Sequence, residues 1–159
     1  MLDSGLVVFL ITIVLALAYA YSNGINDAAN AIATVVSTRV LRPPAAVFMG
    51  ASLNLAGALT GTAVAKTIGK GIVVPEEISE FTVMAAMLAS VTLVLGATRL
   101  GVPVSVSHSL VASLVGAALA SAGIHAIVGG GFTKVVIALA VSPVAGFVLS
   151  FSCLLYTSP

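Results

Sequence analysis

Long apolar stretches separated by compact polar knots lay out the chain. Residues 6–20 are an almost unbroken apolar run, residues 45–65, 81–98 and 134–155 repeat the pattern, and residues 110–122 give a shorter version of it. None shows the period-two alternation of a barrel strand, and hydrocarbon offers an unpaired backbone no hydrogen-bond partner, so these runs predict helices. A crossing takes about 20 residues, and the expectation is an all-α integral membrane protein with about five membrane helices. They form a single membrane domain over residues 1–159.

The polar knots predict where the helices stop. Ser22, Asn23 and Gly24 are poor helix formers, two of them with side chains that compete for backbone hydrogen bonds, so a broken first helix is expected there, resuming over 26–38. Arg39 and Arg42, followed by Pro43 and Pro44, mark an exit into water and a new helix start. In the second run Gly50, Asn54, Ala58 and Thr62 form a row at helical spacing, with Gly57 and Gly61 beside it. Such rows let membrane helices approach closely, with Asn54 as an interhelical hydrogen bonder.

Residues 66–80 carry Lys66, Lys70, Glu76, Glu77 and Glu80 and read as the clearest water-exposed loop. Residues 123–131, with His125 and a run of three glycines, read as a flexible connection. The stretch 109–122 is short for a crossing at about 1.5 Å per residue, which predicts a re-entrant hairpin limb; a full crossing extending to Val128 is the alternative. A kink is expected at Ser142-Pro143. Ala18-Tyr19-Ala20 resembles a signal-cleavage site, but the start carries Asp3 and no basic residue, so residues 6–20 are read as a membrane helix. Arg39, Arg42 and Arg99 against Lys66 and Lys70 place the N-terminus outside by the positive-inside rule.

Composition supports the membrane assignment, since 60% of residues are hydrophobic and only 7% charged. A net charge of +1 supplies no basic surface for nucleic acid, and the lone Cys153 cannot form an intrachain disulfide. No Ser-His-Asp arrangement or metal-ligand spacing points to an enzyme or to a bound cofactor. The chain stops after an apolar run without a charged flank, and truncation of a longer protein is expected.

Against that background the stretch 23–38 is anomalous. Asn23, Asn26, Asp27, Asn30, Thr34, Ser37 and Thr38 fall on one stripe of a helical wheel. Asp27 is the costly member, because an ionisable side chain near the bilayer centre costs at least about 2.5 to 3.5 kcal/mol. Carboxylate, amide and hydroxyl oxygens are hard ligands, suited to a small cation such as Na+ or to holding a proton. A helix break beside them is a device by which secondary transporters build ion sites. Polar side chains joining helices without transport are the plainer alternative.

A second cluster follows Pro103. Ser105, Ser107 and Ser109 offer hydroxyls at the start of an apolar helix, where unpaired N–H groups and the positive dipole end attract anions. Neutral donors of this kind suit phosphate or sulfate that must later be released. His108 is placed to donate to that anion or to take part in proton coupling, or else to orient the hairpin. A channel is disfavoured, since no repeated pore-lining ring is visible.

The stretch Gly24-Ile25-Asn26-Asp27-Ala28-Ala29-Asn30-Ala31 resembles the signature of the inorganic phosphate transporter (PiT) family. The resemblance continues through residues 38–43, 61–69, 103–108 and 139–143 and covers nearly the whole chain in order. It implies a symporter that takes up inorganic phosphate with Na+ or H+, usually as a homodimer in the plasma or inner membrane. The fold implied has two inverted halves, of which this chain resembles the N-terminal one.

Carried over by position, Asn26, Asp27 and Asn30 belong to the ion and substrate centre and Ser105, Ser107 and His108 to the hairpin tip; joined to the polar stripe, this makes Asn23, Asn26, Asp27, Asn30 and Thr34 the expected coupling-ion site, with Asp27 as the Na+ ligand if sodium drives transport. Ser105, Ser107, His108 and Ser109, with Asn30, belong to the phosphate site. Val106 departs from the pattern, standing where a hydroxyl residue is common, and only one copy of the signature is present. A missing second half, or a second copy of the chain, is therefore expected to complete the site. Related sulfate permeases share similar motifs, and a sulfate permease or a non-transporting scaffold subunit are the alternatives.

Overall fold

A computed structural model of the chain describes residues 4–61, 66, 69–102 and 104–157. The expectations for Asp3, Thr62, Pro103 and most of 62–68 lie outside the described residues. The described residues are almost wholly helical: α1 (Ser4–Ser37), α2 (Pro43–Thr60), α3 (Glu80–Arg99), α4 (Val106–Ala122) and α5 (Gly129–Thr157), with short 3-10 turns at Pro75–Glu77 and Ile124–Ala126. Gly5–Ser37, Glu80–Arg99 and Gly129–Tyr156 are long and apolar enough to cross a membrane. At 17 residues, α4 is about 25 Å long, shorter than the ~30 Å hydrocarbon core.

The expected break at 22–24 does not occur. α1 runs unbroken for 34 residues, roughly 51 Å. Ser22 turns its hydroxyl back onto the Tyr19 carbonyl at 2.8 Å, so its competing group is satisfied inside the helix. The Gly24 penalty of ~1 kcal/mol is small beside the several kcal/mol for each backbone group left unpaired in an apolar medium. α1 ends instead at Ser37, where the Thr34 carbonyl accepts from Ser37 Oγ at 3.1 Å, Thr38 Oγ1 at 2.6 Å and the Thr38 amide at 3.0 Å. Arg39 at φ 60° reverses the chain, and Pro43 then starts α2.

α3 and α4 form an antiparallel hairpin closed by a turn in which Gly101 adopts φ +69°, a conformation glycine takes without strain. α3 packs against both α1 and α4, whereas α2 packs chiefly on α1. Ser79 caps α3 by accepting from the Thr82 amide, and Thr82 Oγ1 donates to Ser121 Oγ at 3.0 Å, tying the open end of the hairpin together. α5 continues through Pro143 as one helix, with its apolar side chains outward.

Two segments expected to be loose form part of the core. Ile72 and Val73, inside the stretch assigned to water, are fully buried, and they cluster with Ala86, Leu114, Ala118 and Ala126. The Val74 amide donates to the Ala126 carbonyl and the Val128 amide to the Ile72 carbonyl, both at 2.9 Å. This antiparallel pairing holds the 123–131 connection against 71–74. Ile72 and Val73 are buried and Val74 half-buried, despite charged neighbours, because backbone pairing satisfies the segment's polar groups as its side chains leave water. Gly131 lies so close to Gly71 that a Cβ there would collide with the Gly71 carbonyl.

Candidate functional site

The polar stripe of α1 divides between two neighbours. Asn23 and Asp27, one turn apart, line a cleft of about 580 Å³ with Gly24 and Ala31 on one wall and Gly50 and Asn54 of α2 on the other. Asn26 is rotated to the opposite side. Its Nδ2 donates to Thr98 Oγ1 near the end of α3 at 3.0 Å, and Thr98 Oγ1 donates in turn to the Val94 carbonyl at 2.7 Å. A second cleft of about 560 Å³ opens there, lined by Ile25, Asn26, Ala29, Thr98, Gly101 and Val102.

On the helical wheel Asn30 and Thr34 fall between Asn26, turned toward α3, and Asp27, turned toward α2. Both are exposed. The middle of the stripe therefore faces out of the chain, flanked by α2 on one side and by α3 on the other. Among the described residues the Asp27 carboxylate takes part in no hydrogen bond or ion pair.

The serine cluster is arranged around the start of α4. Ser105 is the N-cap residue, its Oγ accepting from the His108 amide at 3.4 Å. Ser109 is buried and donates its hydroxyl to the Ser105 carbonyl at 2.9 Å. Ser107 and His108 are exposed at the helix start. Capping thus occupies Ser105 and an i−4 back-bond occupies Ser109, while Ser107 and His108 are open to solvent or ligand. Among the described residues no hydrogen bond joins any of these four side chains to the Asn/Asp stripe. The link is indirect: Tyr19 of α1 donates its hydroxyl to the Val106 carbonyl at 3.3 Å.

Sequence reasoning did not assign Tyr19, Thr98 or Asn54 to the site. Tyr19, Ser22 and Asn26 recur at i, i+3 and i+7, a row that could have been recognised. Thr98 ends the row Thr82, Ala86, Ser90, Val94, Thr98 at spacing four, whose small and polar members mark the packed face of α3. No group of three or more His, Cys, Asp or Glu side chains that could hold a metal ion occurs among the described residues. A cation at the α1–α2 cleft would rest on Asp27 and on amide oxygens, a hard-oxygen set.

Residues 23–158 match the profile of a family described as "Phosphate transporter family". A "Probable low-affinity inorganic phosphate transporter" of Bacillus subtilis (strain 168) is 42% identical over 152 residues, covering 94% of this chain and 46% of that protein. A protein of the same description from Rhizobium meliloti (strain 1021) is 43% identical over 147 residues, with 92% and 44% covered. A solved structure, "The sodium-dependent phosphate transporter", superposes with a TM-score of 0.89 at 33% identity, covering 96% of this chain and 39% of that one. The chain thus spans less than half the length of each of these three relatives.

Proposed function

The chain belongs to the phosphate transporter family, and from that premise we propose that it forms part of a membrane transporter that moves inorganic phosphate by Na+ symport. The observation that carries the reading is Asp27. A carboxylate on a long apolar helix, without a counter-charge in the described residues, needs a cation to offset the cost of its burial in a membrane. Na+ is favoured over H+ because the similar solved structure is described as sodium-dependent.

In this reading Asn23, Asn26, Asp27, Asn30 and Thr34 bind the cation. Asn30 with Ser105, Ser107, His108 and Ser109 binds phosphate at the α4 N-terminus, where the helix dipole and free amides favour an anion. Bound Na+ cancels the negative charge of Asp27 and so lowers the electrostatic cost of phosphate entering beside it. The α3–α4 hairpin serves as the re-entrant limb that moves between outward and inward arrangements, pivoting at Gly101. The N-terminus lies outside, and the chain supplies one of two inverted halves. The other half comes from the remaining length seen in relatives or from a second copy, in a transporter that works as a homodimer.

The test is a chimera in which this chain replaces the matching 152-residue stretch of the Bacillus subtilis relative. Reconstituted in liposomes, it is expected to accumulate labelled phosphate when an inward Na+ gradient is imposed, with sulfate a poor competitor. Uptake that follows only a H+ gradient would replace the coupling ion. Uptake driven by neither gradient would overturn symport.

A further inference from the structure

We propose that Thr98 is a positioning residue for the coupling-ion site, setting which way the Asn26 amide faces. This rests on the reading of Asn26 as a cation ligand. A backbone carbonyl can only accept, so the proton between Thr98 Oγ1 and the Val94 carbonyl, 2.7 Å apart, must come from Thr98. A hydroxyl has one proton, and that commitment leaves Thr98 only lone pairs to present to Asn26, 3.0 Å away.

Asn26 must therefore meet Thr98 with its NH2, because its oxygen would set two acceptors face to face. The amide is planar, so fixing Nδ2 on Thr98 fixes Oδ1 on the other branch, and no described residue donates to that oxygen. It is held ready as a ligand beside the second cleft, which both residues line. The same contact ties the signature helix to the last turn of α3, immediately before the Gly101 turn that leads to Ser105. Displacement of the hairpin would release the amide, which couples the orientation of a cation ligand to the position of the serine-rich helix start.

Thr98→Val and Thr98→Ser separate this role from packing. Valine keeps the shape and the second methyl but cannot accept from Asn26; serine keeps the hydroxyl. Two measurements on the purified Bacillus subtilis chimera in lipid nanodiscs decide the matter, and neither requires transport. The first is the side-chain amide resonance of 15N-labelled Asn26, expected to be protected from solvent exchange in the parent and in Thr98→Ser and to lose protection in Thr98→Val. The second is the Na+ concentration for half-saturation of the resonance shifts in α1, expected to rise about tenfold in Thr98→Val and less than about twofold in Thr98→Ser.

Unchanged protection in Thr98→Val would overturn the proposal, as would lost protection with an unchanged Na+ midpoint. A parent chimera that shows the protection pattern yet never responds to Na+ would refute the cation reading while upholding the orientation of Asn26 by Thr98.

Discussion

Ser90 lies in the middle of the packed face of α3, fully buried, with its hydroxyl unpartnered. A buried hydroxyl without a partner costs about 1–3 kcal/mol, and nothing else in the described residues offsets it. Ser90→Ala is accordingly expected to raise the thermal midpoint of the detergent-solubilised chain, by about 1 kcal/mol in stability; a lower midpoint would show that the hydroxyl is satisfied in the membrane. At this scale the sequence exposes some residues far better than others. Asp27 and the asparagines stand out because they contradict their apolar surroundings. Thr98 does not, because its importance lies in a proton committed to a carbonyl on its own helix, which composition cannot reveal. Ser105 and Ser109 were legible as helix-start residues; Ser105 makes the bond of a cap, and Ser109 bonds back to the carbonyl one turn earlier.

Helix propensity misreads α1 because it prices Gly24 and Asn23 as if water could satisfy the backbone. In an apolar setting the cost of opening the hydrogen-bond ladder dominates, and the helix passes straight through. Gly24→Ala follows as a test of the element, since nothing lies within 4 Å of the added Cβ. It is expected to keep the chain folded and to stabilise it by up to ~1 kcal/mol in a thermal melt. A chain that needs a break at Gly24 would be destabilised instead.

The reverse holds for the 71–74 and 123–131 segments. Charged and glycine-rich composition suggests loops, but the alternation of strand-like hydrogen bonds and buried Ile72 and Val73 makes them a clasp. Long-range pairing of this sort has no local signature. Gly131→Ala is expected to cost about 1–3 kcal/mol through its collision with Gly71, seen as a lower melting temperature. A neutral Gly131→Ala would mean that the clasp yields without cost.

For the molecule as a whole, the described residues give one packed core, the α3–α4 hairpin with the 71–74 and 123–131 segments, against which α1 lies with most of its surface exposed, and two helices with still more surface to spare. None of the spanning window of α5 is buried, and α2 leaves Phe48, Leu53, Leu55 and Leu59 exposed. Lipid accounts for part of such a surface. The stripe midline at Asn30 and Thr34 is different, since polar groups gain nothing by facing hydrocarbon. Fold class and the two chemical clusters could be read from the sequence because each is written in a short contiguous stretch. How the clusters face one another could not, because the wall opposite the stripe is not formed by the described residues.

The role proposed for Asp27 is to receive the cation that drives phosphate across the membrane. The most direct measurement is Na+-driven uptake of labelled phosphate by the Bacillus subtilis chimera with Asp27 intact and with Asp27→Asn, at matched protein levels in the same liposomes. The account predicts that Asp27→Asn, close in shape but without the charge, abolishes gradient-driven uptake while the protein remains folded and inserted. Full Na+-coupled uptake by Asp27→Asn would contradict it.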